Sequence, residues 1–509
     1  MKDKTDSSRR SLVTAALYTA ATGALGPGLL GCASGANQQT FATAPPTGAT
    51  TVTTDDIRSL AQALPNAVFT RGSFEYEASR LVWNGTIDQF PALVVHARTR
   101  EDIVKAVRFA AAHGLGISIK ATGHGALKAA GDDAMLIDTS RMKGIEVDAK
   151  NRIATLEPGV TAIEYLHAIL PHGLVGPTAV SPHVGMTGYT LAGGYGDLPR
   201  VTGLSSDNLL SADVVLSDGQ TLTVSAHENS DLFWALRGGG GNFAIVTSMR
   251  LRLHPVGDAV LSGVLTYDAA NAKRVIGALR EWETTIPDEM QQALSLFSSN
   301  VAKAPYPVVT IALIYFGKPE EGQKYIDKLV AATDPVGNTV RRQTYLEYFD
   351  AVQDPGFGLK NFWHGVLIDQ LSDPVIDVLV KAVEPTDSEV MLLFSYYRGG
   401  AWSRHAEDFT AVSHRNGAWL LNGRAIFKGG SGDEARVARA KAQVAALAKG
   451  LAPFTDGAVP MTYVEYEGPA RLADVYGEAK LARLREIKRR YDPQNRLRFN
   501  ANIPPAQAA

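Results

Sequence analysis

Two glycine-rich segments, both of which contain histidine, hold the residue types best suited to bind a phosphate or to attack carbon. The first, ATGHG at residues 121–125, follows a short alternating pattern, GISIK, that predicts a strand. The second spans residues 172–203 and has few long helix-forming side chains. Glycine lets backbone N–H groups close on a phosphate, and an imidazole is a competent nucleophile. These segments indicate either a phosphate-containing cofactor or plain turns.

The spacing of these glycines does not match the common nucleotide-binding motifs. GGYG at 193–196 and GGGG at 238–241 lack the G-x-G-x-x-G spacing of a Rossmann turn, and the chain contains no G-x-x-x-x-G-K-[ST] motif. It also contains no H-E-x-x-H zinc motif and no G-x-S-x-G nucleophile elbow. A dinucleotide would therefore be bound by glycines in another arrangement.

Composition limits the class of protein further. The 509 residues are enough for two or three domains. Lys and Arg number 50 against 52 Asp and Glu, a formal net charge of -2, so there is no overall basic field for nucleic acid. A single cysteine excludes an intramolecular disulfide framework and a cysteine-cluster metal site.

The cysteine, Cys32, ends an N-terminal stretch with the pattern of a targeting signal. Arg9-Arg10 resembles a twin-arginine export signal, and LLGC at 29–32 resembles a lipobox, in which the cysteine is acylated. We expect residues 1–31 to be a signal peptide and 32–54 a flexible tether. The protein would then be exported and lipid-anchored at the cell envelope through Cys32. The alternative is a signal anchor with a chance cysteine.

The remaining chain alternates helical and extended patterns and predicts an α+β fold. Caps are predicted at Thr99 and Thr161, a hairpin at Asp218-Gly219, a strand at 461–466 and a helix at about 476–490. We divide the body into an N-terminal part of a cofactor domain at 55–258, a substrate domain at 259–460 and a C-terminal return at 461–505.

Four segments in order give the chain a family resemblance. Residues 97–125, 180–219 and 232–256 resemble the FAD-binding domain of the berberine-bridge-enzyme-like oxidases, and 476–505 resembles their C-terminal signature. These oxidases belong to the vanillyl-alcohol-oxidase superfamily, which shares the p-cresol-methylhydroxylase-type FAD-binding domain. The resemblance implies a split, two-subdomain FAD-binding domain and an α+β substrate domain with an antiparallel sheet.

The resemblance also implies roles for individual residues. His124 matches the histidine that carries FAD covalently, and Val184 matches a position where a small side chain accompanies oxygen reactivity. Ser181 stands where some members attach the flavin a second time through cysteine, so we expect a single covalent bond. The other residues expected to bind the cofactor are Ala121, Thr122, Gly123, Gly125, Gly185, Thr187, Gly188, Gly194, Gly196, Asn500 and Asn502.

Oxidation of an alcohol by a flavin needs a base for the hydroxyl proton. In the family a tyrosine in a Tyr-x-Asn-Tyr pattern often serves, and here that pattern reads Tyr463-Val464-Glu465-Tyr466. Alternation along the predicted strand puts Tyr463 and Glu465 on one face, so either is a candidate, with Tyr463 preferred. A tyrosine must be acidified by a positive charge or a hydrogen bond to act near neutrality. Tyr397 is a candidate for a second phenol.

The resemblance therefore implies an exported FAD-dependent oxidase. It would oxidise an alcohol, with carbohydrates as one substrate class, and pass the electrons to O₂ to give H₂O₂. One alternative is an oxidase or oxidative cyclase of a phenolic or alkaloid-like metabolite. Another is a flavin lipoprotein that carries electrons for a redox partner. The expected partners are a small-molecule substrate and O₂, with membrane contact only through the lipid anchor and none with nucleic acid.

Overall fold

The computed structural model describes residues 52–351, 356–417, 419–430, 432–464 and 471–507. The predicted signal peptide, Cys32 and Glu465 lie outside these ranges. The first helix begins at Thr54, because Thr53 and Asp56 cap it reciprocally. The predicted tether boundary at residue 54 is therefore about one residue too late.

Helices and strands alternate along the whole body. The α-helices are α1 Thr54–Ala63, α2 Phe74–Arg80, α3 Arg100–Ala112, α4 Ala162–Ile169, α5 Met186–Leu191, α6 Pro199–Thr202, α7 Ser230–Leu236, α8 Ala272–Trp282, α9 Ser299–Ala302, α10 Pro319–Thr333, α11 Tyr345–Asp350, α12 Asp373–Val383, α13 Glu434–Leu451 and α14 Arg471–Tyr491. The strands are β1 Val68–Phe69, β2 Leu93–His96, β3 Gly116–Lys120, β4 Ala134–Asp138, β5 Ile145–Asp148, β6 Ile153–Leu156, β7 Leu174–Val175, β8 Leu209–Val215, β9 Thr221–Ser225, β10 Ile245–Arg252, β11 His254–Pro255, β12 Val260–Asp268, β13 Met290–Phe297, β14 Val308–Tyr315, β15 Gly337–Asn338, β16 Arg341–Gln343, β17 Lys360–Ile368, β18 Val390–Tyr396 and β19 Trp419–Phe427.

The N-terminal half contains two larger sheets. The first has the order β1-β2-β4-β3, with β2, β4 and β3 parallel, and α3 packs its apolar face on it. The second is antiparallel, in the order β5-β6-β10-β8-β9. The predicted caps at Thr99 and Thr161 and the hairpin at Asp218-Gly219 are confirmed.

The second half is built on one antiparallel sheet of eight strands. Its main path is β15-β12-β14-β13-β18-β19-β17, and β16 also pairs with β12. Alternate residues of these strands pack against α8, α10, α12 and α13, which cover one face. The other face carries Leu367, Tyr397 and Leu420, which pack against Tyr195 of the N-terminal half. The expected α+β class with an antiparallel substrate-domain sheet is confirmed.

The C-terminal segment returns to the N-terminal half. α14 packs against α7 in the same core as the five-stranded sheet, and the amide of Ile117 in β3 donates to the Arg496 carbonyl at 2.8 Å. The helix is longer than predicted and is interrupted at Gly477, whose φ of +68° and ψ of 158° are not helical. None of the described helices is long and apolar enough to cross a membrane.

The predicted strand at 461–466 is wrong for its described part. Met461–Tyr463 forms a 3₁₀ turn in which the Tyr463 amide donates to the Pro460 carbonyl at 2.9 Å. The Tyr463 carbonyl accepts a hydrogen bond from the Trp363 indole at 3.1 Å, so the segment lies across the large sheet instead of pairing with it. The alternation that put Tyr463 and Glu465 on one face does not apply to a 3₁₀ turn.

Candidate functional site

The turn after β3 is fixed by backbone contacts. Gly123 has a φ of +83°, which a residue with a side chain rarely adopts. Its carbonyl accepts from the Trp83 amide at 3.2 Å, and a Cβ at Gly123 would stand 3.2 Å from Val82 Cα. Around Gly125, by contrast, a Cβ would meet no protein atom within 4 Å. The turn is anchored on one side and open on the other.

The loop at 184–188 lies directly on this turn. The Gly185 amide donates to Thr122 Oγ1 at 3.0 Å, and a Cβ at Gly185 would stand 3.5 Å from the Ala121 Cβ. Gly188 faces space in which a Cβ would meet nothing within 4 Å. Thr187 instead turns its hydroxyl toward Met249 Sδ in the core, at 3.9 Å. The structure thus brings the two predicted cofactor segments into contact, and each has a glycine that faces open space.

His124 lies in an aromatic setting formed by both halves of the molecule. Its ring stacks on Trp83 with 5.3 Å between centroids, and Phe357 contacts it edge-on at 5.5 Å. Phe357 is held there because the Gly358 amide donates to the Trp83 carbonyl at 3.0 Å. The imidazole is therefore oriented by packing, as a site of covalent attachment requires.

Gly194 and Gly196 are explained by packing within the protein. A Cβ would stand 2.3 Å from the Ser205 Cβ at Gly194 and 2.1 Å from the Thr178 carbonyl oxygen at Gly196. Ser181 accepts from the Val184 amide through its carbonyl at 3.3 Å, and Val184 packs partly buried against the core. Ser181 and Val184 are partly buried and lie just before the 185–188 loop.

Asn500 and Asn502 are the tail residues expected at the cofactor. Asn500 donates to the Gly241 carbonyl at 3.1 Å. The side-chain oxygens of both asparagines are buried and accept no hydrogen bond from a described residue. Buried acceptors are normally satisfied, so these two fit a ligand that brings its own donors.

Tyr463 lies next to this tail and above the large sheet. Gly365 in β17 leaves room for it, since a Cβ there would stand 2.4 Å from the Tyr463 carbonyl oxygen. Met461, two residues earlier, contacts Gly240, the neighbour of the Gly241 that holds Asn500. Burial raises the pKa of Tyr463 to about 12, and Arg424 opposes this only in part. The required acidification of this tyrosine is therefore not present.

Tyr397 packs behind the site instead of lining it. Its side chain is 1% exposed and contacts Tyr195 and Trp402, and its hydroxyl donates to the Gly196 carbonyl at 3.3 Å. Burial raises its pKa well above the usual value for a phenol. The structure gives it no role in proton transfer.

The sheet face beneath Tyr463 combines polar and apolar side chains. Trp363, Arg424 and Met391 stand in one row across β17, β19 and β18, and the Arg424 Nε donates to Met391 Sδ at 3.2 Å. In the next row, Asn422 pairs with Gly365, directly under Tyr463. The Asn422 side-chain oxygen is buried and accepts from no described residue. This face is suited to bind a ligand rich in hydrogen-bonding groups.

Sequence reasoning missed Asp197, which follows GGYG in the N-terminal half. The Tyr348 hydroxyl donates to Asp197 Oδ2 at 3.2 Å, and burial raises the pKa of this carboxyl to about 6. Its charge acts on five tyrosines, which come from four separate segments: Tyr189, Tyr345, Tyr348, Tyr397 and Tyr463. In the sequence, the one unusual feature was its position, between two glycine turns and the helix at 199–202. An acidic residue at this position does not cap the helix, so capping does not explain it.

Known proteins show which cofactor this arrangement holds. The family model described as "FAD binding domain" matches residues 91–225, and the one described as "Berberine and berberine like" matches residues 469–504. An FAD-linked oxidoreductase of Dictyostelium discoideum is 30% identical over 461 residues, covering 89% of this chain and 98% of that protein. The chain is a berberine-bridge-enzyme-like FAD-linked oxidoreductase.

Two further relatives of this oxidoreductase carry names that specify a substrate. The xylooligosaccharide oxidase of Thermothelomyces thermophilus is 28% identical over 497 residues, covering 88% of this chain and 94% of that protein. The crystal structure of 6-hydroxy-D-nicotine oxidase from Arthrobacter nicotinovorans superposes with a TM-score of 0.77 at 25% identity, covering 87% of this chain and 98% of that chain. The expected FAD cofactor, fold and oxidoreductase class are confirmed.

The residues present fit FAD. The open space at Gly125 and Gly188 accepts a group that approaches the backbone closely, and the unpaired oxygens of Asn500 and Asn502 accept from donors such as ribityl hydroxyls or a ring N–H. Gly125, Gly188, Asn500 and Asn502 would hold the cofactor, and His124 lies on the same turn as Gly125.

Proposed function

We propose that this protein is an exported oxidase that holds FAD through one covalent bond to His124 and oxidises an alcohol. The observation that carries the proposal is the set of buried side-chain oxygens that accept from no described residue, on Asn500 and Asn502 in the tail and on Asn422 in the sheet face beneath Tyr463. Asp197 and Tyr463 keep part of their surface exposed beside this face, and the space that they border is called the cleft below. Asp197 is its proton-accepting side chain, whereas Tyr463 keeps its proton near neutrality. Bound FAD would accept a hydride from the substrate carbon and return the electrons to O₂ as H₂O₂.

The single attachment is supported by the residues around the cofactor site. Trp83 and Phe357 hold the His124 ring from two sides. Ser181 occupies the place where a second bond would need a thiol, and the one cysteine of the chain is Cys32. The compact Val184 side chain leaves space for O₂, which favours an oxidase over a dehydrogenase.

A hydroxyl-rich substrate suits the sheet face below Tyr463. Asn422 offers an unpaired buried oxygen, Arg424 offers donors, and Trp363 offers an aromatic surface in the neighbouring row. The relative named as a xylooligosaccharide oxidase supports a carbohydrate. The solved structure named as a nicotine oxidase supports the alternative, a heterocyclic or alkaloid-like metabolite.

Export and anchoring rest on the N-terminal sequence. Arg9-Arg10 and the LLGC segment ending at Cys32 support twin-arginine export and acylation at the cell envelope. Cys32→Ser should move the protein from the membrane fraction to the soluble fraction without loss of flavin.

The test is a screen for H₂O₂ release by the purified flavoprotein over xylobiose, longer xylooligosaccharides, phenols and 6-hydroxynicotine. Release with the sugars supports the proposal, and release only with phenols or 6-hydroxynicotine selects the alternative substrate class. No release from any compound, together with a redox partner recovered by cross-linking, would favour an electron carrier.

The attachment is tested separately by acid precipitation. His124→Ala should lose all acid-stable flavin, whereas His183→Ala, a matched change at an exposed histidine of the neighbouring loop, should keep it. Acid-stable flavin in His124→Ala would refute the attachment.

A further inference from the structure

Asp197 is a buried carboxylate without a cationic partner. Its pKa is set by burial, which raises it, and by the Tyr348 hydroxyl, which lowers it, and no ion pair joins it to a described residue. Asp207, another buried carboxylate, is by contrast paired with Arg415 at 2.6 Å. An unpaired buried charge is costly, so its retention needs a reason other than stability.

The position of Asp197 points into the cleft. The residue lies deep in the protein, yet it keeps an exposed part of its surface, as do Tyr348 and Tyr463. These three deep but partly exposed side chains border an internal space, whereas Tyr189, Tyr345 and Tyr397 are buried. The Gly196 carbonyl, next to Asp197, is fixed by the Tyr397 hydroxyl at 3.3 Å.

The tyrosines around Asp197 are poor bases. All five have a raised pKa, with burial as the first cause, and Tyr463 reaches about 12. Near neutrality each phenol keeps its proton and acts as a hydrogen-bond donor. A group with a pKa close to the working pH is the better base, and among the described residues of this cleft that group is Asp197.

We propose that Asp197 is the catalytic base that takes the proton of the bound substrate. The inference rests on the proposed function, because it needs an alcohol or an amine as the substrate. For each molecule oxidised, the carbon loses a hydride that carries both electrons to the flavin. The oxygen or nitrogen loses a proton to the Asp197 carboxylate, and the C–O or C–N bond becomes double. Tyr463 and Tyr348 remain protonated and orient the substrate and the carboxylate.

The first experiment measures anaerobic flavin reduction by stopped flow, with xylobiose and 6-hydroxynicotine as probes. The wild-type rate should fall about tenfold per pH unit below about pH 6, the pKa of the carboxyl. Asp197→Asn should lower the rate at pH 7.5 by about 10²- to 10⁴-fold and remove this acid limb. Asp213→Asn is the matched control, a carboxylate on β8 that also accepts one hydroxyl, from Thr223 at 2.8 Å, outside the cleft.

A second variant keeps the test decisive if Asp197→Asn does not fold. Tyr348→Phe removes the hydroxyl that stabilises the charged carboxylate, so the acid limb should move to higher pH. Tyr267→Phe should leave the limb in place, since it removes a buried hydroxyl bonded to Thr333 at 2.9 Å on the helix-covered face of the sheet.

Thermal unfolding of the flavin-loaded protein gives a readout other than activity. Asp197→Asn should raise the Tm at pH 7.5 and leave it unchanged near pH 3.5, because an uncharged side chain avoids the cost of the buried charge. A carboxylate with a merely structural role would give a lower Tm after the same change.

The outcomes separate the two proposals. An unchanged reduction rate and acid limb in Asp197→Asn, with a wild type that does reduce, would overturn the role of Asp197 and leave the oxidase intact. A lower Tm at pH 7.5 would overturn it as well. A wild type that reduces its flavin with no probe would contradict the proposed function, and the assignment of Asp197 would fall with it.

Discussion

Asp197 and Asp492 are both buried carboxylates, and their surroundings are opposite. Asp492 accepts from Lys488 Nζ at 2.5 Å and from the amides of Arg496 and Leu497 at 3.0 and 2.9 Å. Asp197 accepts from one tyrosine and faces further phenols. Burial opposes both charges, but the ammonium and amides hold the pKa of Asp492 below its usual value, while that of Asp197 rises to about 6.

The contrast distinguishes a buried charge that stabilises the fold from one that is available for proton transfer. The Lys488 ammonium also donates to the backbone carbonyls of Asn242 and Leu497. The side-chain oxygen of Asn242 in turn accepts from the Ile503 amide at 2.9 Å. This network holds the tail asparagines in place. Asp197 has no such network and keeps one side open to the cleft. A fully satisfied carboxylate stabilises the fold, and an incompletely satisfied one is available for proton transfer.

The largest loss of stability is expected from breaking the pair of Lys488 and Asp492. Asp492→Ala leaves the Lys488 ammonium, whose side chain has no exposed surface, without its counter-charge. The loss should be about 3–5 kcal/mol in the free energy of unfolding, measured by urea denaturation. Glu486→Ala, which removes an exposed partner of Arg489 on the same helix, should cost no more than about 1 kcal/mol. Equal losses in the two variants would contradict the comparison.

Asp197→Asn should raise the free energy of unfolding, which is the opposite of the effect of Asp492→Ala. The folded pKa of Asp197 is about 6, above the usual value of 3.8 for an aspartate, so the folded state binds the proton more tightly. Stability is therefore lost as pH rises from about 4 to about 6, and the full cost of about 3 kcal/mol applies above that window, at 1.36 kcal/mol per unit. The gain of Asp197→Asn should grow from near zero at pH 3.5 to about this value at pH 7.5, measured by denaturant midpoints. A gain that did not depend on pH would show that charge is not its cause.

Local signals in the sequence predicted much of the fold. The caps at Thr99 and Thr161 and the hairpin at Asp218-Gly219 depend on residues within a few positions of each other, and all are as predicted. The 461–466 strand was wrong because Tyr463 is held by Trp363 and Gly365, which are about a hundred positions away. Alternation alone carries no information about such contacts.

The sequence predicted the parts of the candidate site that are formed by the backbone of local motifs. It missed the parts that form where side chains from distant segments meet. The turn at His124 and the loop at Gly185 were expected together and do touch. Asp197 gains its properties from Tyr348 and the other tyrosines, which come from both halves of the chain, so its environment exists only in the folded protein. The raised pKa of Tyr463 has the same origin, since burial cannot be inferred from its neighbours in sequence.

Two glycines extend the comparison to the backbone of the cofactor site. Gly196→Ala puts a Cβ 2.1 Å from the Thr178 carbonyl oxygen and should cost about 1–3 kcal/mol of stability through overpacking. Gly188→Ala meets no protein atom and lies within α5, so it should keep or slightly raise stability while lowering flavin content. Urea denaturation and the ratio of flavin to protein absorbance distinguish them. Full flavin content in Gly188→Ala would show that the open space is solvent.

The smallest effect is expected at Tyr345, beside Tyr348 in the same helix. Its ring stacks on Tyr348 with 6.0 Å between centroids, and its buried hydroxyl bonds to no described residue. Tyr345→Phe keeps the ring and removes a polar group that the fold does not satisfy, so the free energy of unfolding should change by no more than about 0.5 kcal/mol or rise slightly. Tyr348→Phe removes the donor to Asp197 and should cost more, about 1.5 kcal/mol at pH 7.5. Parallel denaturation of the two variants measures the difference. A loss above about 1 kcal/mol for Tyr345→Phe would mean that its hydroxyl binds a partner in the cleft. Tyr345 would then belong to the tyrosines that line the cleft, not to those that are packed in the core.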